Sequence, residues 1–149
     1  MGCRGFFKRL SEGVFDKEDL IFRTHELNKF LDKADEYYHF DRGNIIAIGY
    51  SNGANIAASL LFHKEHTLRG AILHHPMVPR RDIELPDSIG ESVFIAAGTN
   101  DPICSPKESK ELQALLEKAN ANVELHWESQ GHQLTATEVE AARRWYQSL

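Results

Sequence analysis

The sequence predicts an α/β fold: a three-layer αβα sandwich around a mainly parallel sheet, in one domain spanning 1–149. Three observations carry this reading. Strand and helix patterns alternate from about residue 17 to the end, with short connections, as right-handed strand–helix–strand crossovers require. Two stretches, 45–50 and 92–98, are apolar on both faces, as central parallel strands are. The length of 149 residues supports one domain with a real core.

The elements follow in order. Asp16 is placed to cap a helix over 17–39, with Leu20, Leu27, Leu31, Ala34 and Tyr38 on one face. Asp41-Arg42-Gly43-Asn44 reads as a turn. Strand 45–50 leads into a helix from Asn52 to about Lys64, apolar nearly all round, as buried helices are. Arg69 to His75 is a second strand, and 77–91 an irregular connection containing proline. Strand 92–98 follows. Ser105-Pro106-Lys107-Glu108 reads as a capping box with proline at the first helical position. Its helix carries Leu112, Leu115, Leu116 and Ala119 on one face. Strand 122–128 alternates Val123, Leu125 and Trp127 with Glu124, His126 and Glu128, which fits an edge strand. Thr135 to Glu138 is a second capping box. It opens a last helix with Val139, Ala142, Tyr146 and Leu149 as its apolar stripe.

Composition excludes several classes. Seventeen basic against 22 acidic residues give a formal net charge of −5. No window is strongly basic, so nucleic acid and anionic membrane surfaces are not expected partners. No apolar run reaches membrane-spanning length, and the N-terminus lacks the apolar core of a signal peptide. Met1-Gly2 invites a myristoylation reading, but Phe6 stands where the motif needs Ser or Thr. Cys3 and Cys104 are the only cysteines, which points to a reducing cytoplasm rather than a disulfide framework.

The chemistry begins at Gly49-Tyr50-Ser51-Asn52-Gly53. This is Gly-x-Ser-x-Gly between a strand and a helix, the context of a nucleophile elbow. Such a turn exposes the serine hydroxyl at the tip of a sheet and sets the Asn52 N–H beside it as an oxyanion donor. A serine hydroxyl needs a base to take its proton and a carboxylate to orient that base. In open α/β sheets these groups gather at the carboxyl ends of the strands. Asp101 follows strand 92–98 and His132 follows strand 122–128, giving the order Ser…Asp…His. Each has a bland alternative: a chance motif for Ser51, an Asx-turn for Asp101, a surface loop for His132. Three residues at the right ends of three strands outweigh those alternatives.

Other groups compete poorly. His25, His39, His63 and His66 fall on or beside helices and are expected to be solvated. His74 and His75 end the second strand beside a pocket, but neighbours on a strand point to opposite faces, which disfavours joint metal binding. No zinc, calcium or phosphate-loop motif is present, so no metal and no cofactor are expected. Cys104 has no elbow of its own and reads as a packed thiol.

On Gly49 to Asn55, Ala97 to Ile103 and Gly131 to Leu134, the chain resembles an α/β hydrolase of the bacterial carboxylesterase/phospholipase type, close to the dienelactone-hydrolase-like esterases. Arg4 to Leu10 and His75 to Pro79 resemble family segments flanking the active site. The resemblance implies Ser51 as nucleophile, His132 as general base and acid, and Asp101 as orienting carboxylate. Dienelactone hydrolases proper carry cysteine at the elbow, where this chain has Ser51. The family's first strands and the loop supplying the second oxyanion N–H have no counterpart here, so the fold is expected to be N-terminally truncated. Losing one such donor costs on the order of 100- to 1,000-fold in turnover.

The expected activity is therefore cleavage of small-molecule carboxylic esters or thioesters through an acyl-enzyme. The connection 77–91 is too short for a large lid, which favours small soluble esters. Phe6, Phe7 and Met77 are candidates for the pocket wall. Other acyl transfers, peptide or perhydrolase chemistry included, would use the same triad. Without further strands, 45–50 becomes an edge, to be covered by a second copy or by an additional N-terminal segment with Met1 internal. The rival reading is an inactive remnant that associates through that edge.

Overall fold

The computed structural model describes residues 5–63, 68–86 and 90–149. Lys64, His66, Cys3 and Arg4, which figure in the sequence reading, lie outside them.

Among the described residues the sheet has four parallel strands in the order β3 (Ile46–Tyr50), β4 (Gly70–His74), β5 (Ser92–Gly98) and β6 (Asn122–Glu128). Helix α1 (Lys17–Tyr38) precedes the sheet, α2 (Asn52–His63) connects β3 to β4, α3 (Pro106–Lys118) connects β5 to β6, and α4 (Ala136–Gln147) follows β6. Neighbouring strands all pair in parallel, so every strand's carboxyl end opens on the same side. A short hairpin, β1 (Arg9–Ser11) with β2 (Val14–Phe15), precedes α1 and was not predicted. It turns at Gly13 (φ 71°). Its strands are too short to give an alternating signal.

The main core lies between α1, α2 and α3 and one face of the sheet. Leu60, Leu61, Leu73, Val93, Ile95, Leu112 and Leu116 are among its fully buried members. Ala54 to Phe62 are buried without interruption, as the unbroken apolar pattern of α2 requires. A second, smaller core on the other face sets Ile72, Phe94 and Ala96 against Ala141, Ala142 and Trp145 of α4.

Among the described residues β3 ends the sheet, the edge position expected where no further strands precede it, with Ile48 72% exposed. Three expectations are corrected. Tyr38 leaves the buried face of α1 and sets its ring edge-on to Tyr37. The capping box at Ser105 is half formed: Ser105 Oγ accepts from the Glu108 N–H, but Glu108 turns to the Val78 N–H and Arg81 instead. The apolar stripe of α4 is rotated. Glu138, Ala141, Ala142 and Trp145 face inward, while Val139, Tyr146 and Leu149 are exposed. A carboxylate, not an apolar residue, leads the buried face.

Candidate active site

The elbow is built by close approach. Ser51 has φ 52°, in the left-handed region that only a few residue types visit. Its N–H donates to the His74 carbonyl at 2.8 Å, and its carbonyl accepts the Asn55 N–H at 3.0 Å, the first helical bond of α2. The serine is thereby clamped between β4 and a helix start. The Asn52 N–H belongs to the first turn of α2, where amides have no intrahelical acceptor and must find a partner outside the helix. The Asn52 side chain is engaged separately: its Oδ1 accepts the Phe6 N–H at 2.6 Å.

The structure brings Ser51, His132 and Asp101 together from three strand ends. Ser51 Oγ lies 2.9 Å from His132 Nε2, and His132 Nδ1 lies 2.7 Å from Asp101 Oδ2. The loop carrying His132 is fixed from two sides. Gly131 N–H donates to Asn100 Oδ1 at 2.9 Å, and the Tyr50 hydroxyl donates to the His132 carbonyl at 2.6 Å. Gly98 permits this approach, since a Cβ there would sit 2.3 Å from the Gly131 carbonyl oxygen.

Asp101 is fully buried and multiply bonded. Its Oδ1 accepts the N–H groups of Ile103 (2.8 Å) and Cys104 (2.9 Å), and its Oδ2 faces both His132 and His75. Burial alone pushes the carboxyl up. The Cys104 amide, His132, the Ile103 amide and His75 outweigh it and hold Asp101 below the usual carboxylate range.

Two groups that sequence reasoning did not assign complete the buried side. His75 Nδ1 lies 3.0 Å from Asp101 Oδ2, and His75 Nε2 lies 3.0 Å from Glu138 Oε2. β4 ends at His74, and His75 has φ 53°, so strand alternation no longer governs its direction. Both histidines consequently reach Glu138, with His74 Nδ1 3.4 Å from its Oε1. Burial, against the attraction of Glu138, holds His74 below the ordinary imidazole value. His63 is likewise half-buried rather than solvated, and burial followed by the Arg80 charge pushes it down.

His75, Asp101 and His132 are also the His/Cys/Asp/Glu group among the described residues whose ligand atoms converge, within 4.8 Å of one another. Their nitrogen–oxygen spacings of 2.7 and 3.0 Å are hydrogen-bond distances.

A small cleft of about 10 Å³ opens beside Ser51, lined by Asn52, Asn55, Met77, Ile103, Cys104 and Phe15. Phe7 is buried against Phe15, Leu20 and Ile56, while Phe6 is exposed over Gly53. Both phenylalanines line a larger open groove of about 1,050 Å³ against α1, which does not include Ser51. Ser51 lines the smaller cleft and not the groove.

The Cys104 thiol donates to the His75 carbonyl at 3.3 Å. Burial, then the charges of Asp101 and Glu108, push it up to about 12. Because a raised value keeps the thiol protonated at neutral pH, native protein treated with iodoacetamide is expected to leave Cys104 unmodified. Denatured protein is expected to alkylate there, as peptide mass mapping would show.

A parallel sheet flanked by helices, with a serine on a strand–helix elbow, defines an α/β-hydrolase-like protein. The chain belongs to the dienelactone hydrolase family, whose pattern matches residues 12–146. It is 59% identical over 145 residues to the putative hydrolase MhqD of Bacillus subtilis (strain 168), covering 97% of this chain and 72% of that protein. It superposes on the crystal structure of the Bacillus cereus carboxylesterase with a TM-score of 0.94 at 69% identity, covering 97% of this chain and 68% of that one. A protein of unknown function from Agrobacterium tumefaciens, Atu2452, matches with a TM-score of 0.85 at 34% identity, covering 97% and 70%. The chain is thus a hydrolase-family protein shorter than these relatives. Among the described residues no helix is long and apolar enough to cross a membrane.

Proposed function

We propose that the site is that of a serine hydrolase acting on carboxylic esters of small molecules. The observation that carries the reading is the unbroken line from Ser51 Oγ through His132 to the buried Asp101 at 2.9 and 2.7 Å. Likeness to a carboxylesterase supports the ester class.

In this mechanism Ser51 Oγ attacks the acyl carbon as its proton passes to His132 Nε2. The carbonyl oxygen becomes an oxyanion that the Asn52 N–H stabilises at the positive end of α2. The tetrahedral intermediate collapses, and the imidazolium of His132 protonates the leaving alcohol. Water then enters, gives a proton to His132 and attacks the acyl-serine. Release of the acid returns that proton to Ser51 Oγ. Asp101 keeps Nδ1 of His132 protonated and Nε2 free to accept. The cleft at Met77 and Ile103 suits a small acyl or alcohol group.

Fluorophosphonate treatment is expected to add one adduct to the intact mass, mapped to Ser51. Ser51→Ala is expected to lose both the adduct and hydrolysis of p-nitrophenyl acetate. Equal labelling of the two proteins would refute Ser51 as nucleophile.

A second reading, association through the β3 edge, is favoured by the exposed Ile48 and Tyr50. Apolar edge strands template pairing, and an edge lysine opposes it. Ile48→Lys is therefore expected to raise the monomer fraction in size-exclusion chromatography with light scattering. An unchanged profile removes this reading.

A further inference from the structure

The mechanism above leaves His75 and Glu138 unused, yet both side chains are fully buried and continue the line from Asp101. Each of their two gaps is a 3.0 Å nitrogen–oxygen contact, and each needs a proton between its atoms. A neutral imidazole has one N–H and fills one gap. The second proton sits either on His75, giving an imidazolium between two carboxylates, or on Glu138, giving a neutral acid that donates to Nε2. A gap without a proton would set two lone pairs against each other in a dry interior. In both arrangements the Glu138–His75 pair carries no net charge and aims an N–H at Asp101.

The surroundings fix this geometry. His75 N–H donates to the Ala96 carbonyl at 2.8 Å, and its own carbonyl accepts the Cys104 thiol. Tyr50 stands edge-on to its ring at 6.0 Å, and the His132 ring lies 5.2 Å away. Glu138 Oε1 accepts the Thr135 N–H at 3.1 Å within the capping box, so one carboxylate oxygen starts α4 and the other faces His75. The remaining ionisable neighbours are His74, beside Glu138 Oε1, and His126, which acts on His74 from β6.

We propose that His75, anchored by Glu138, is a positioning residue: its Nδ1–H donates to Asp101 Oδ2 alongside His132, fixing the carboxylate and moderating the negative charge it presents to His132. The inference deepens the proposed function and rests on Ser51, His132 and Asp101 being its triad. Removing the donor leaves Asp101 a stronger partner for the imidazolium of His132, so His132 must protonate at higher pH.

The test uses protein labelled with ¹⁵N-histidine and two-bond ¹H–¹⁵N spectra across a pH titration. In wild type, His75 Nδ1 is expected to carry a proton. In His75→Phe, the His132 midpoint is expected to rise by about one pH unit. His75→Asn, whose amide places an N–H near the Nδ1 position, is expected to restore at least half of that difference. An unprotonated His75 Nδ1 in wild type, or a His132 midpoint unmoved by His75→Phe, overturns the proposal. The first of these needs no variant to fold. Fluorophosphonate labelling of the wild-type sample separates the two claims. Absent labelling removes the catalytic reading while the coupling is still read by the spectra. Labelling with an unmoved midpoint removes the coupling alone.

Discussion

Asp101→Asn is expected to lower ester hydrolysis and fluorophosphonate labelling by about 10⁴-fold, with far-ultraviolet circular dichroism unchanged. The size follows from where the amide must go. Asp101 Oδ1 accepts two backbone N–H groups, from Ile103 and Cys104. An asparagine that puts its NH₂ on that side meets two donors with a third. Turned the other way, the NH₂ replaces Oδ2 and points at Nδ1 of both His132 and His75. His132 then holds its proton on Nε2 and donates to Ser51 Oγ instead of accepting from it. Two backbone donors oppose the first orientation, so the second prevails and leaves no general base. A loss below tenfold would mean that Asp101 does not set the tautomer of His132.

The parts of this site that the sequence discloses share a property: each is announced by local pattern. Ser51 lies in a glycine-flanked turn between an apolar strand and an apolar helix. Asp101 and His132 lie just past strands whose ends are visible in the pattern. His75 and Glu138 are announced by nothing local. Their partners are 26 and 63 residues away, and only the folded sheet brings them together. Glu138 was also absorbed by a sound local explanation, its capping box with Thr135. That bond is real, but it uses one oxygen, and the second turns inward. Once Glu138 faces the core, helical spacing carries Ala141, Ala142 and Trp145 inward with it, which is why the stripe read from Val139 came out rotated. The strand limits tell the same story. Extending β4 by one residue put His74 and His75 on opposite faces, whereas the left-handed turn at His75 sends both toward Glu138.

Gly49→Ala is expected to have a large structural effect for a single added methyl group. A Cβ at Gly49 would sit 2.4 Å from the Gly53 carbonyl carbon and 2.5 Å from the Ala54 nitrogen. Both are backbone atoms in the first turn of α2, and neither can rotate away. The helix cannot retreat either, because Ala54 to Phe62 are packed on all sides. Such overpacking costs about 3 kcal/mol, read as a lower urea midpoint at unchanged slope. Any relief must come from opening the turn, which carries Ser51 Oγ off His132 Nε2, so the rate of fluorophosphonate labelling falls with stability. Gly53→Ala, one turn position away, is the control. Its nearest neighbour is the rim of the Phe6 ring at 3.3 Å, and that side chain is 63% exposed and free to swing aside. It is expected to unfold within about 1 kcal/mol of wild type. The two glycines bracket the same serine, yet only the one facing backbone holds the elbow closed. Equal urea midpoints for the two variants would show that the strand–helix contact at Gly49 is not what sets the position of Ser51.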